Sequence, residues 1–207
     1  MDLETYKLTF NSDDAAPGWD AIDKVLTPIY GAQEPRHWGT LIKHFLGGPD
    51  PLDGISAYES MAGGVDHLHF CTYGFSNLYY DEEACGGEFS RFGFELTFRL
   101  KRPFADDENP IWVCGLLQNL ARYVFETGNW FEAFHWLPAN GPICRDNPTD
   151  VVGLVFARDP ELPAQDTPHG KVEFLQMFGV TQSELDSIMS KEKSAADILQ
   201  RHRETNP

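Results

Sequence analysis

Residues Gly93 to Arg102 read GFELTFRLKR, and their apolar side chains fall on every second position. Phe94, Leu96, Phe98 and Leu100 share one face of an extended chain, and Glu95, Thr97, Arg99 and Lys101 share the other. A helix repeats about every 3.6 residues, so this alternation predicts a half-buried β-strand with its polar face outward. Upstream, His67 to Tyr73 is a second extended, aromatic run, ended by Gly74. Between the two lies an irregular segment carrying Asp81, Glu82, Glu83 and the Gly86-Gly87 pair. Two strands joined by a long charged loop fix a sheet whose apolar face needs a cover, and they offer a loop able to present a surface.

The remaining chain supplies the cover. Trp19 to Tyr30 has Ile22, Val25, Leu26 and Ile29 at helical spacing, with Pro17 before it and Gly31 after it. Asn109 as N-cap and Pro110 at the first helical position open a second helix. Its stripe of Val113, Leu116, Leu117, Leu120, Ala121, Val124 and Phe125 ends at Gly128. Strands are expected at Tyr6–Phe10, Thr40–Phe45, Ile55–Ser60, Phe134–Leu137 and Val172–Phe178. The continuous apolar run Val151–Ala157 reads as a central strand covered on both faces. Pro160, Pro163 and Pro168 predict a long surface loop. Thr181 and Glu184 form a capping box ahead of Leu185, Ile188 and Met189, and Ala195, Ile198 and Leu199 mark a last helix. Strands grouped centrally with helices around them give an α+β fold, a mixed β-sheet packed with α-helices. Residues 1–16 are read as a flexible segment and 17–204 as a single domain.

Composition narrows the function. A chain that is 42% hydrophobic, with 15 Phe, 7 Tyr and 5 Trp, has enough to fill a core and is not disordered. Its 32 acidic and 16 basic residues leave a net charge of −16. That field repels phosphate backbones and anionic headgroups, so neither nucleic acid nor membrane is an expected partner; it is compatible with a basic protein partner, with solubility alone as the plainer reading. Cys71, Cys85, Cys114 and Cys144 are widely spaced without a CxxC, and Asp2 and Glu4 are the reverse of a basic signal-peptide start. Reduced thiols in a cytoplasmic protein is the resulting expectation.

No residue set nominates a reaction or a cofactor. Gly74-Phe75-Ser76-Asn77-Leu78 lacks the second glycine of a nucleophile elbow, and Leu46-Gly47-Gly48-Pro49 lacks the lysine of a phosphate loop. His67 and His69, two apart on a strand, share a face; with the acidic loop Asp81–Glu83 they define the rival reading, an enzyme or metal-binding protein. Spacing supplies no further ligand, so no metal is expected. The aromatics Tyr73, Phe75, Tyr79 and Tyr80 cluster beside the acidic loop, and Trp130, Phe131, Phe134 and Trp136 follow later. Aromatics near charged loops are the material of interface hot spots. Tyr79 and Tyr80, adjacent in an extended segment, cannot both point inward.

Several long blocks, in order over roughly residues 20 to 190, resemble the Suppressor of fused family. They are Leu46–Asp53 (LGGPDPLD), Tyr73–Tyr79 (YGFSNLY), Gly93–Arg102 and Leu120–Phe125 (LARYVF). Asp159-Pro160, Thr167-Pro168-His169-Gly170 and Phe174-Leu175-Gln176 continue the series. The resemblance implies a sandwich like the N-terminal domain of the animal proteins, which bind a peptide of Gli-type transcription factors by β-augmentation and restrain them in the cytoplasm. The chain stops soon after the region similar to that first domain and so resembles the single-domain bacterial members, for which a role as immunity proteins against secreted toxins is implied. By the same resemblance Phe70, standing where the animal pattern has a tyrosine, and Asp81 are partner contacts; with the aromatic cluster read above, the expected partner-binding residues are Phe70, Tyr73, Tyr79, Tyr80 and Asp81.

Overall fold

The computed structural model describes residues 1–12, 14–102, 110–144 and 149–203. In chain order the elements are α1 (Leu3–Thr9), α2 (Pro17–Tyr30), β1 (Arg36–Gly39), β2 (Gly54–Ser60), β3 (His67–Tyr73) and β4 (Phe89–Lys101). There follow α3 (Ile111–Thr127), β5 (Trp136–Pro138), β6 (Val151–Arg158), β7 (Gln165–Thr167), β8 (Gly170–Thr181), α4 (Gln182–Met189) and α5 (Ala195–Arg203). One mixed sheet runs β1-β2-β3-β4-β8-β6-β5, with β7 paired to β8. β4 and β8 are parallel, and the other pairs are antiparallel. The α+β class expected above, a mixed sheet packed with helices, is the one found.

Alternation along the strands divides the core by face. Phe94, Leu96 and Phe98 of β4 join Leu68 and Phe70 of β3, Leu154 and Phe156 of β6, and Leu175 and Met177 of β8. Against them packs the α3 stripe Val113, Cys114, Leu117, Leu120, Ala121 and Val124. The opposite face carries two clusters. α2 contributes Ile22, Val25 and Leu26 over Tyr58, Cys71, Tyr73 and Phe174. α4 and α5 contribute Leu185, Ile188, Ile198 and Leu199 over Val155, Ala157, Phe178 and Val180. β6 is therefore covered on both faces, as its unbroken apolar run predicted. Thr181 caps α4 by the expected capping box, and Gly128 closes α3 in the left-handed region at φ 73°.

Five expectations change. Tyr6–Phe10 is not a strand: the Asp2 carboxylate accepts from the Thr5 amide at 2.9 Å and starts α1, which buries Tyr6 completely. The first strand is Arg36–Gly39 rather than Thr40–Phe45. It is in register with β2 from Arg36 opposite Ala57 to Gly39 opposite Gly54, and His44–Leu46 forms a 3-10 turn instead. The proline-rich stretch is not wholly a surface loop, because Leu162 is buried and β7 hairpins onto β8. Pro110 occupies the N-cap position of α3, and Asn109 lies outside the described residues. The largest correction concerns β4. Its polar face is not outward, because α2 and the Asp159–Leu162 segment cover it, and Glu95 and Thr97 are fully buried.

Candidate functional site

A buried polar face must satisfy its own hydrogen bonds. Glu95 does so by accepting from the Thr72 hydroxyl (2.7 Å), the Ser76 hydroxyl (2.6 Å) and the amides of Gly74 and Ser76 (3.0 Å each). Its carboxylate thereby shapes the start of the β3–β4 loop. Gly74 there holds φ 138° with the backbone of Leu52 and Asp53 pressed against it, which no side chain would tolerate. Burial pushes the Glu95 carboxyl above its ordinary range, and the hydrogen bonds from Ser76, Thr72 and Gly74 oppose that rise.

Two strand positions further along, Asp159 accepts from Thr97 (2.6 Å), Arg99 (3.0 Å) and His69 Nε2 (3.0 Å), and from the amide of Glu161 (2.9 Å). Burial alone would raise this carboxyl. The hydrogen bond from His69, the Arg99 charge and the Thr97 hydroxyl outweigh it and hold Asp159 well below the usual carboxylate range. A carboxylate only accepts, so His69 carries its proton on Nε2, and the Tyr30 hydroxyl meets Nδ1 at 2.6 Å. This Tyr-His-Asp chain has the look of a catalytic relay, yet burial pushes the Tyr30 phenol up and keeps it protonated. The arrangement ties α2 to β3 and to the segment that follows β6.

Both ring nitrogens of His69 are thus engaged. His67 sits beside it, the ring centroids 6.4 Å apart, with Nδ1 on the Val65 carbonyl. The acidic loop follows the other end of β3, so the residues of the metal reading do not come together. Among the described residues no group of three or more His, Cys, Asp and Glu is placed to hold an ion.

The five residues implied as partner contacts divide by depth. Phe70 is buried in the main core against Trp38, and Tyr73 is buried with its hydroxyl donating to Asp23 at 2.8 Å. Neither meets the surface, because β3 is an interior strand flanked by β2 and β4. Tyr79 is exposed, and its hydroxyl accepts from Lys43 at 2.7 Å. Tyr80 is half-buried, stacked on Tyr6 at 4.9 Å. Asp81 turns Oδ1 inward to the amides of Glu83 (3.0 Å) and Ala84 (3.3 Å), while its own amide donates to Tyr6 Oη at 2.8 Å. Tyr6 Oη also meets His169 Nε2 at 2.7 Å, so α1, the acidic loop and the β7–β8 turn share one buried hydroxyl.

Two apolar surfaces adjoin this region. In the segment after β1, Leu41, Ile42, Phe45 and Leu46 are 101%, 57%, 76% and 69% exposed. Lys43 in their midst reaches Tyr79. A groove of about 550 Å³ runs from Leu41 and Ile42 along α3 past Ile111, Gly115 and Arg122. Sequence reading missed this surface, since Leu41, Ile42 and Phe45 were assigned to a strand over Thr40–Phe45 and Leu46 to the turn after it. The Gly47-Gly48-Pro49 stop just after them was the available warning, because it leaves too little chain for a paired strand. The later aromatics split: Phe131 is buried, whereas Trp130, Phe134 and Trp136 are exposed. Trp130 and Phe134 border a second groove of about 580 Å³ with Phe89 and Arg91. Arg91 (φ 54°) and Phe134 (φ 71°) both hold left-handed backbone there, a strain that side-chain-bearing residues rarely carry.

Residues 48–207 match the family model for Suppressor of fused protein (SUFU). This chain belongs to the Suppressor of fused family. Suppressor of fused homologs of Mus musculus and Homo sapiens are each 38% identical over 161 residues, covering 74% of this chain and 33% of their own length, so the chain spans about a third of these curated relatives. The Sufu–Fu complex crystal structure superposes with a TM-score of 0.80 at 33% identity, covering 90% of this chain and 84% of that one. Drosophila Suppressor of Fused gives 0.74 at 34% identity, over 84% and 44%. A SUFU homolog from Neisseria gonorrhoeae gives 0.60 over 90% and 89%; at 12% identity it shares the fold alone. The family blocks are the ones that bond to each other here. Arg122 of the LARYVF block donates to the Pro49 carbonyl and pairs with Asp50 of the LGGPDPLD block, and Glu95 holds Gly74 and Ser76.

Proposed function

We propose that residues 17–204 form a non-enzymatic protein-interaction domain that binds and restrains a partner protein. Its contact surface extends from Tyr79, Tyr80 and Asp81 across the exposed Leu41–Leu46 segment. Four large apolar side chains that the fold leaves in water, beside an aromatic-acidic loop, carry this reading, because such patches mark interaction sites. Phe70 supports the surface from beneath through Trp38, whereas Tyr73 lies on the opposite face of the sheet. Asp81 uses one carboxylate oxygen on its own loop and leaves the second to a donor on the partner. The Sufu–Fu complex, 33% identical and of the same fold, supports a partner-binding role. The net charge of −16 favours a basic partner, and neutralising a secreted basic toxin from the cytoplasm is the role that suits it.

The test begins with capture of the partner from the native host and calorimetry on the purified pair. Phe45→Ser with Leu46→Ser is expected to weaken binding by about 2 kcal/mol or more, with the melting temperature unchanged. Asp81→Ala is expected to cost roughly 1.5–3 kcal/mol of affinity. Full affinity in the double variant would remove the Leu41–Leu46 segment from the surface.

A further inference from the structure

The sheet face that α2 covers holds a cavity of about 280 Å³ whose walls are aromatic. Trp19 stacks on Tyr73 with centroids 4.3 Å apart, and Tyr30 stacks on Tyr58, also at 4.3 Å. His37 closes the side nearest β1, tilted against Trp19 at 5.7 Å. Asp23 reaches in from α2, half-buried, and accepts from the Tyr73 hydroxyl. The lining contains no lysine or arginine. A carboxylate drawn partly out of water needs compensation, and its two donors, the Tyr73 hydroxyl and the Trp19 indole, are both neutral and leave the charge unbalanced. Ring faces carry negative potential as well, so rings and carboxylate together call for a cation. Burial holds His37 below its usual range, so it does not answer that need itself.

We infer that this cavity is a cage for an alkylammonium group, delivered either by a lysine side chain of a protein or by a small quaternary amine. Its volume lies below the roughly 300–1,000 Å³ of sites for drug-sized ligands, which suits a guest of side-chain size. A guanidinium is the poorer guest. Its planar fork is best met by both oxygens of a carboxylate, and Tyr73 already occupies one Asp23 oxygen. The cage opens on the opposite face of the sheet from the Leu41–Leu46 surface, and it stands or falls separately from the partner reading above.

The test is a titration of the full chain followed by ¹H–¹⁵N NMR at constant ionic strength. The probes are choline, its neutral carbon isostere 3,3-dimethylbutan-1-ol, and the N-acetyl methylamides of lysine and arginine. Choline and the lysine amide are expected to give saturable shifts centred on the Trp19 indole and the amides of Gly54–Tyr58, and the alcohol none. The tighter of the two ammonium probes identifies the source. Asp23→Asn keeps an oxygen for the Tyr73 hydroxyl and is expected to weaken binding about tenfold. The wild-type comparison of choline with the alcohol needs no variant, so a poorly folded Asp23→Asn would not leave the inference open. Equal binding of the alcohol, shifts mapping elsewhere, no saturation, or tightest binding of the arginine amide would each overturn it.

Discussion

Glu95 and Asp159 are both buried carboxylates on one side of β4–β8, and their surroundings move them in opposite directions. Around Glu95 the partners are neutral hydroxyls and amides, so desolvation wins. Around Asp159 a guanidinium and an imidazole face the charge, so the charged form wins. Glu95→Gln keeps the shape but puts an NH₂ among donors, and urea unfolding should show a loss of about 1–3 kcal/mol. For Asp159 the sign follows from the lowered folded value. Its contribution is fully present above the unfolded pKa of about 3.9 and is lost as the pH falls from there toward the folded value. Asp159→Asn should therefore cost about 1–3 kcal/mol at neutral pH, since Thr97 and His69 lose a charged acceptor while Arg99 keeps only Glu161. It should also flatten the stability profile between pH 5 and the acid limit, scored against wild type by denaturant midpoints at each pH. Neither carboxylate's role was legible in the sequence. Alternation placed Glu95, Thr97 and Arg99 on one face correctly, but which face is wet depends on a helix seventy residues upstream and a turn sixty residues downstream.

Among the elements, those that carry their own boundary signals were the ones sequence reading located. α4 is the clearest case: Thr181 accepts from the Glu184 amide, and Glu184 accepts from the Thr181 amide at 3.0 Å, so the cap is written in four consecutive residues. Thr181→Ala should lower stability by about 1 kcal/mol and reduce the melting temperature, and Thr181→Ser should recover most of it. An unchanged Thr181→Ala would mean that the packing of Leu185 and Ile188 alone fixes the start of α4. α3 and β6 were equally legible, one from a stripe ending in glycine, the other from an apolar run too continuous for a half-exposed strand. α1 and β1 were not. Seven polar-rich residues become a helix only because Tyr6 finds a pocket among Tyr80, His169 and the Asp81 amide. Arg-His-Trp-Gly becomes a strand only because the edge of β2 offers it partners. The depth of the proposed contact residues was half legible for the same reason. Adjacency put at least one of Tyr79 and Tyr80 outside, and it is Tyr79, whereas the depth of Phe70 and Tyr73 follows from β3 lying inside the sheet.

At the scale of the whole molecule, one sheet separates a large core under α3 from two smaller cores under α2 and α4–α5. The charge left outside this frame is strongly one-sided, at −16 for 207 residues. Surface ion pairs such as Lys7–Glu82 and Arg158–Glu173 remove little of that field, because exposed pairs are screened and weak. Long-range attraction then acts on the encounter with a basic partner, before any contact forms, and short-range contacts govern escape. Raising the ionic strength from about 0.01 M to about 0.15 M shortens the screening length from roughly 30 Å to roughly 8 Å. Stopped-flow association with the captured partner should slow by about tenfold or more over that range, while the dissociation rate changes by less than about twofold. The Phe45→Ser, Leu46→Ser variant should show the reverse pattern, a faster dissociation with an unaltered salt slope of association. An association rate that is flat or rises with salt would rule out a basic partner, and the acidic surface would then serve solubility alone.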